Sequence, residues 1–264
     1  MSTSNVEAAT ADSKLKAQSS KLSPQAAPAK VTKTFRVLRF DPAKDKAPRW
    51  QEFKLPCDPM ERVLTALNRI KWEQDGSMTY RRSCGHAVCG SCGMTIQGAS
   101  RLACKTLVKD IDGDVIEVQP LKGFPVVKDL VVDMEHFYHN LRSVKPYLIT
   151  SSPKPVKERR QSPEQFDLID DASKCILCGC CTSSCPSFWK NDSYLGPAAL
   201  LKAWRFIGDS RDEAKAERIA AVNGRNGIWR CHTIFNCKEA CPKEIDIPAA
   251  LSQLKRAVVF GSVA

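Results

Sequence analysis

Thirteen cysteines in a chain of 264 residues constrain this protein more than any other feature of its sequence. Eleven of them stand in three spaced groups. An apolar leader is absent near Met1, so we do not expect export to a compartment where disulfides form. An odd number of cysteines in a reducing compartment favours metal binding over disulfide pairing. The chain also lacks a run of about 18 apolar residues, so we do not expect it to span a membrane by itself.

The first group is Cys84-x4-Cys89-x2-Cys92, followed after eleven residues by Cys104. This is the spacing of plant-type [2Fe–2S] ferredoxins, in which a loop surrounds the cluster and a more distant strand supplies the fourth thiolate. A structural zinc site is the alternative, because four thiolates in two nearby pairs also suit Zn²⁺. Three cysteines clustered in one glycine-rich loop of a β-rich segment favour the [2Fe–2S] interpretation.

The other two groups share one spacing. The second has the bacterial ferredoxin pattern with its terminal proline: Cys175-x2-Cys178-x2-Cys181-x3-Cys185-Pro186. The third repeats that pattern in Cys231, Ile234, Cys237 and Cys241-Pro242. One thiolate is therefore missing from the third group, because Ile234 occupies the position of the second cysteine.

In two-cluster ferredoxins the fourth cysteine of each run ligates the cluster of the other run. This exchange predicts a [4Fe–4S] site with four ligands: Cys175, Cys178, Cys181 and Cys241. It leaves three ligands for the remaining site: Cys185, Cys231 and Cys237. Three thiolates beside an apolar Ile234 indicate a [3Fe–4S] cluster. Cys57 and Cys180 fall outside the three sets, and we expect both to be ordinary small residues.

Composition and apolar spacing divide the chain into four parts. Residues 1–30 have few large apolar side chains and predict a disordered tail, which lacks the arginines of a transit peptide. Residues 31–145 form the predicted [2Fe–2S] domain, residues 146–165 a proline-rich linker, and residues 166–264 a helical domain with the [4Fe–4S] and [3Fe–4S] clusters. We therefore expect an α+β protein, in which an N-terminal plant-type ferredoxin (β-grasp-like) domain precedes an α-helical, bacterial-ferredoxin-like domain.

Several elements are predicted within these domains. Strands are expected around Phe35–Val37, Trp50–Phe53, Met94–Ile96, Leu102–Leu107 and Val115–Val118. A helix is expected to begin at Asp58 as N-cap, with Pro59 at its first position and Glu61 in a capping box. Its apolar face is Val63, Leu64, Leu67 and Ile70. Pro197 and Pro248 are expected to open two further helices.

The formal net charge of +11 predicts an anionic partner but does not identify one. We expect no nucleic-acid binding, because no arginine-rich helix or alternation of aromatic and basic residues is present. The sequence also lacks a dinucleotide fingerprint, a P-loop and a nucleophile–base constellation. Three one-electron clusters in a row therefore predict an electron relay whose ends lie in other chains.

The motifs resemble those of one family. Cys84-Gly85-His86, Arg101–Lys105, Lys174–Cys178, Cys185–Trp189 and Cys231–Cys237 are similar to segments of the iron–sulfur subunit of succinate dehydrogenase, respiratory complex II. The resemblance covers residues 31–264. It implies a subunit of a succinate:quinone oxidoreductase of the tricarboxylic acid cycle and the respiratory chain. A partner flavoprotein with FAD would oxidise succinate, and electrons would pass through the [2Fe–2S], [4Fe–4S] and [3Fe–4S] clusters to quinone at one or more membrane-anchor subunits.

The resemblance also implies a location and a quinone site. The chain would lie peripherally on the cytoplasmic side of a bacterial inner membrane or, alternatively, on the matrix side of the mitochondrial inner membrane. Haem b in the anchor is left open. Quinone would contact the [3Fe–4S] end, which corresponds to Pro186, Ser187, Trp189, His232 and Ile234.

Two points at this end stay open. His232 would donate a hydrogen bond or a proton to quinone, or instead bond to backbone or to a haem propionate. Many family members have a second tryptophan where this chain has Lys190, so the choice between ubiquinone and menaquinone stays open.

Two alternatives to succinate oxidation remain. A fumarate reductase uses the same clusters in the opposite direction, and cysteine spacing does not distinguish the two directions. A zinc-stabilised binding module, from another class of protein, would explain some of the paired cysteines and the positive charge. Colour separates the classes, since an iron–sulfur protein is brown and a zinc protein is colourless.

Overall fold

The computed structural model describes residues 30–261, and apart from Lys30 the predicted disordered tail lies outside this range. Seven strands are present: β1 Val31–Arg39, β2 Arg49–Cys57, β3 Gly93–Ile96, β4 Ala99–Leu102, β5 Val115–Gln119, β6 Val126–Lys128 and β7 Val131–Val132 in the described residues. Nine α-helices occur in the same range: α1 Val63–Glu73, α2 Glu135–Ser143, α3 Pro163–Ser173, α4 Cys180–Ser183, α5 Pro186–Lys190, α6 Gly196–Ile207, α7 Lys215–Val222, α8 Asn236–Glu239 and α9 Ile247–Phe260.

A mixed five-stranded sheet forms the N-terminal half. Its order is β2-β1-β5-β3-β4, with β1 antiparallel to β2 and parallel to β5. Alternate residues of β1 face inward, and Phe35 and Val37 are fully buried. The predicted apolar face of α1 is buried as well. The predicted α+β class, with a ferredoxin-like sheet followed by helices, is confirmed.

The predicted start of the first helix is wrong. Asp58 and Glu61 form a turn, in which the Glu61 N–H donates to the Asp58 carbonyl at 2.9 Å, and α1 begins only at Val63. The amides of Val63 and Leu64 donate instead to the carbonyls of Thr106 and Ala103, each at 3.0 Å. The segment after β4 therefore replaces the expected capping box, because it satisfies the first free amides of the helix.

The predicted strand Leu102–Leu107 is also wrong, because the observed strand β4 spans Ala99–Leu102 and shares only Leu102 with it. Strand β4 ends at Leu102, and the chain then turns, with the Thr106 hydroxyl donating to the Leu102 carbonyl at 3.0 Å. The Ala103 N–H donates to the Cys92 carbonyl at 3.1 Å. This turn brings Cys104 back to the loop that carries the other cysteines of its group.

The segment between the two halves has no helix or strand from residue 146 to residue 162. Helix α3 starts at Pro163, inside the predicted linker, because Ser162 and Gln165 form a capping box. The segment is fixed at several points: the Glu213 carboxylate accepts hydrogen bonds from the backbone and hydroxyl groups of Ser151 and Ser152. These hydrogen bonds fix the position of the connecting segment.

Helices α6 and α9 begin as predicted, next to Pro197 and Pro248, and they pack against each other. Aromatic contacts join the two halves, since Phe124 lies 5.6 Å from Phe188 between ring centroids. The buried apolar residues of both halves form one continuous core. Within residues 30–261, no helix has the length and apolar character needed to cross a membrane.

Candidate iron–sulfur centres

Backbone amides surround the first group of cysteines. The N–H groups of His86 and Cys89 donate to the Cys84 sulfur at 3.3 and 3.4 Å, and the Ala87 N–H donates to the Cys104 sulfur at 3.2 Å. Positive φ angles at Gly85, Ala87 and Gly90 produce the tight turns. The fourth cysteine of the group, although distant in sequence, therefore lies at the same loop as the first.

The environment of this site changes from its outer to its inner side. Cys89 is exposed, and the neighbouring Ser91 hydroxyl lowers the pKa of Cys89 to about 6. Cys92 and Cys104 are buried, and burial raises the pKa of Cys92 to about 12. A thiolate at such a buried position needs positive charge beside it, which a bound metal centre supplies.

The predicted [4Fe–4S] cysteines lie around one cavity. Its thiol lining is Cys175, Cys178, Cys181 and Cys241. Most of the other lining side chains are apolar: Ile176, Leu177, Ala198, Leu201, Pro242, Ile245 and Ile247. The cavity thus takes three cysteines from one run and the fourth from the other, as the predicted exchange requires.

The predicted [3Fe–4S] cysteines lie around a second cavity. Its thiol lining is Cys185, Cys231 and Cys237. Ile234 lines the same cavity and is 48% exposed. Pro186, Ser187 and His232 also line it. This cavity is therefore lined by three cysteines, and Ile234 is present where the repeated spacing would place a fourth.

Trp189 is the one predicted quinone contact that does not line the second cavity. Its indole N–H donates to the Ser183 carbonyl at 2.7 Å. A Cβ on Gly123 would lie 2.8 Å from the ring, so the indole packs directly on that glycine. The structure places Trp189 at the contact between the two halves, and it places Lys190 on the exposed end of α5.

The two cysteine runs also share a backbone geometry that the sequence analysis missed. Leu177 and Gly179 have positive φ in the first run, and Thr233 and Phe235 have positive φ at the corresponding positions of the second. A four-residue helix follows in each, α4 and α8. Three of these four residues are not glycine, so the repeated cysteine spacing was the only available signal of this conformation.

All thirteen cysteines lie within residues 30–261, and none forms a disulfide there. Cys57 is buried at the end of β2, away from the three groups, whereas Cys180 is buried beside Cys178. No three His, Cys, Asp or Glu side chains of the described range converge closely enough to hold a single metal ion. The unpaired thiols surround cavities, and a thiol set with an apolar lining fits a polynuclear iron–sulfur centre.

Family models match both halves of the chain. A 2Fe-2S iron-sulfur cluster binding domain matches residues 34–139, and a 4Fe-4S dicluster domain matches residues 171–245. These two ranges cover more than half of the chain. They agree with the cluster types that the spacing of the first and second cysteine groups predicts.

Full-length relatives are similar as well. The chain is 44% identical over 225 residues to a succinate dehydrogenase iron-sulfur subunit from Coxiella burnetii, covering 84% of this chain and 95% of the relative. It is 40% identical over 231 residues to a fumarate reductase iron-sulfur subunit from Haemophilus influenzae, covering 83% and 90%. A chain of the Mycobacterium smegmatis Sdh1 complex in the apo form superposes with a TM-score of 0.80 at 26% identity, covering 89% and 99%.

Proposed function

The chain belongs to the family of succinate dehydrogenase iron–sulfur subunits, and on this basis we propose that it carries electrons from an FAD-containing flavoprotein subunit to membrane quinone. The observation that carries the proposal is the pair of cavities in the helical half. Each is lined by cysteines from both runs, four at one and three at the other. A chain with such centres is suited to electron transfer, because each centre accepts and donates one electron.

The cysteines named above are the proposed ligands, and each set has a different surrounding. When bound, the clusters supply one-electron redox chemistry at potentials set by their type, hydrogen bonds and burial. At the [2Fe–2S] site the amides of His86 and Cys89 donate to the Cys84 sulfur and so stabilise negative charge on it. At the [4Fe–4S] site the apolar lining excludes water.

The proposed [3Fe–4S] site is the end that faces the acceptor. Ile234 provides no ligand at the fourth position, and its partial exposure marks the outer side of the cavity. Pro186, Ser187 and His232 lie at the same cavity, and we propose that they contact quinone. We propose that His232 donates to a quinone oxygen. The Trp189 indole packs against Gly123 and so stabilises the contact between the two halves.

We propose that the chain is peripheral on the cytoplasmic side of a bacterial inner membrane and that it binds one or more anchor subunits near this end. Exposed apolar side chains support the proposal: Trp229, Ile234, Phe235, Val259 and Phe260. Helix α9, which carries the last two, is held to the site, since the Lys255 ammonium donates to the Cys231 carbonyl at 3.1 Å. A location on the matrix side of a mitochondrial inner membrane is the alternative. Whether the anchor binds haem b stays open.

The test is to add succinate to the complex purified from membranes and to follow the three centres by electron paramagnetic resonance (EPR). We expect succinate to reduce the [3Fe–4S] centre and added quinone to reoxidise it. A pale complex with bound zinc and no EPR signal would contradict the proposal.

Fumarate reductase is the second candidate, and the 40% identical Haemophilus relative favours it. The two activities differ in direction, so the ratio of succinate oxidation to quinol-dependent fumarate reduction separates them. We expect succinate oxidation to be the faster reaction, and faster fumarate reduction with menaquinol would support the second candidate instead.

A further inference from the structure

The loop of the first cysteine group, residues 84–93, touches the first ligand loop of the helical half, residues 175–181. At Gly90, a Cβ would lie 2.9 Å from the Cys178 Cβ and 2.9 Å from the Ile176 carbonyl oxygen. These separations are shorter than ordinary van der Waals contact, and the Ile176 atom belongs to the backbone. Only glycine therefore allows the two loops to approach this closely.

Gly93 makes a second contact of the same kind. A Cβ there would lie 2.9 Å from the Cys178 carbonyl oxygen and 3.6 Å from the Cys180 sulfur. By contrast, Gly85 in the same loop and Gly98 in the β3–β4 turn have no atom within 4 Å of a built Cβ, although both have positive φ. The close approach is therefore specific to the two glycines that face Cys178.

The position of these glycines in the sequence connects the contact with electron transfer. Gly90 directly follows Cys89, and Gly93 directly follows Cys92, so each is one peptide bond from a proposed [2Fe–2S] ligand. Cys178, on the other side, is a proposed [4Fe–4S] ligand. The two ligand sets are therefore connected by covalent bonds and by the direct contacts of Gly90 and Gly93 with Cys178. Electronic coupling decreases steeply when such a contact opens.

We propose that Gly90 and Gly93 are positioning residues that hold the first two centres close enough for electron transfer, with Cys178 as the point of entry into the helical half. The proposal rests on the function proposed above. One electron moves across the contact, so one centre is oxidised by one electron as the other is reduced by one. No bond forms or breaks, and no proton is transferred.

A second connection between the same two sites offers a competing route. Lys105, which follows the proposed ligand Cys104, donates from its ammonium to the carbonyl of Pro242 at 2.7 Å, and Pro242 follows the proposed ligand Cys241. This bridge is half-exposed, and its Lys105–Glu244 ion pair stands in solvent. The Lys105→Met variant therefore tests whether the electron path uses this bridge.

The experiment uses the assembled complex with three glycine variants. Gly90→Ala adds a steric clash with Cys178 and also backbone strain at φ +73°. Gly93→Ala adds a steric clash with Cys178 at a residue that does not have positive φ. Gly98→Ala adds strain at φ +79° without any contact, so it is the matched control. After chemical reduction, the magnetic interaction between the [2Fe–2S] and [4Fe–4S] centres is measured by EPR spin relaxation. Rapid mixing with succinate gives the rate at which the [4Fe–4S] centre becomes reduced.

We expect Gly90→Ala and Gly93→Ala to lose part of the magnetic interaction and to reduce the [4Fe–4S] centre more slowly, with all three centres present at unchanged potentials. Gly98→Ala and Lys105→Met should match the unsubstituted complex. Three results would each overturn the proposal. They are an unchanged magnetic interaction in both Gly90→Ala and Gly93→Ala, an equal loss of the interaction in Gly98→Ala, and a loss of the interaction only in Lys105→Met.

One readout does not depend on whether the variants fold. The unsubstituted complex itself must show the magnetic interaction, and its absence with both centres reduced would also overturn the proposal. Absence of the centres from the unsubstituted complex would instead contradict the proposed function.

Discussion

The two halves of this molecule bring their cysteines together in different ways. In the N-terminal half, all four proposed [2Fe–2S] ligands lie between Cys84 and Cys104, in one loop and the turn that follows β4. In the helical half, each cavity is lined by both cysteine runs, so that Cys241 joins Cys181 at one and Cys185 joins Cys231 at the other. The first site is local in the chain, whereas the other two exist only when distant segments fold together.

The backbone conformation of the ligand loops also differs between the two halves. In the first loop, Gly85 and Gly90 adopt positive φ at little cost, and Ala87 adopts it without being glycine. In the helical half, Leu177, Thr233 and Phe235 adopt positive φ without being glycine, which costs of order 1–3 kcal/mol for each residue. Such conformations persist only where the surrounding packing enforces them. The two ligand loops of the helical half, with three such residues against one in the first loop, therefore depend more strongly on the surrounding packing.

The largest effect is expected where one substitution affects both interlocked cavities. Cys241→Ser removes a proposed [4Fe–4S] ligand that directly precedes Pro242 in the second run. We expect loss of the [4Fe–4S] centre and damage to the [3Fe–4S] centre, because the same run supplies Cys231 and Cys237 to the other cavity. The [2Fe–2S] EPR signal should remain. An intact [3Fe–4S] signal in this variant would show that the two cavities are independent of each other.

A smaller effect is expected in the N-terminal half. Cys104→Ser should remove the [2Fe–2S] centre alone, because its ligands and the amides around them lie in that half. EPR of each centre in the purified complex measures the outcome. Cys57→Ala is the matched control, since Cys57 is buried in the same half but belongs to none of the three groups. Loss of all three centres from a folded Cys104→Ser protein would contradict the separation of the two halves.

A third substitution converts a centre without removing it. Ile234→Cys adds a thiol at the cavity that already holds three, so we expect a [4Fe–4S] centre in place of the [3Fe–4S] centre. The EPR signal of the oxidised [3Fe–4S] centre should disappear, and the iron content should rise by about one per chain. Ile234→Ser, which supplies no sulfur, is the control. An unchanged signal in a folded Ile234→Cys protein would contradict the exchange of ligands between the two runs.

The smallest effect on the centres themselves is expected from substitutions that change only stability. Each half has a buried arginine that pairs with a buried carboxylate. Arg39 donates to Asp129 at 2.9 Å in the first half, and Arg218 pairs with Asp212 in the second. Replacement of either arginine by alanine leaves a buried carboxylate without this positive partner, and we expect a loss of about 3–5 kcal/mol in the free energy of unfolding.

The two variants should differ in which centre fails first on heating. We expect Arg39→Ala to lose the [2Fe–2S] absorption first and Arg218→Ala to lose the other two centres first. Loss in the same order for both variants would mean that the halves unfold as one unit.

Much of this arrangement was predictable from the chain itself. The burial of Phe35 and Val37, the helices opened by Pro197 and Pro248, and the fold class follow from periodicity and spacing. The start of α1 did not, because the carbonyls of Ala103 and Thr106, far along the chain, replace the local cap. Such a contact has no signature in the residues next to the helix.

Two other features became clear only in the structure. The predicted linker, residues 146–165, overlaps the first residues of α3, because its prolines favour an extended segment although Ser162 and Gln165 form a capping box. The family resemblance predicts Trp189 at the quinone end, and the structure adds that its indole packs against Gly123 in the other half. Contacts between distant segments decide both the position of a side chain and the separation of the two halves.

The central claim is that one chain holds three different centres, the third of them incomplete because Ile234 replaces a cysteine. Chemical determination of iron and acid-labile sulfide in the purified, unsubstituted complex tests it most directly. We expect about nine iron and about ten sulfide per chain outside any haem iron, which is the composition of one [2Fe–2S], one [4Fe–4S] and one [3Fe–4S] cluster. Bound zinc with no acid-labile sulfide would contradict it.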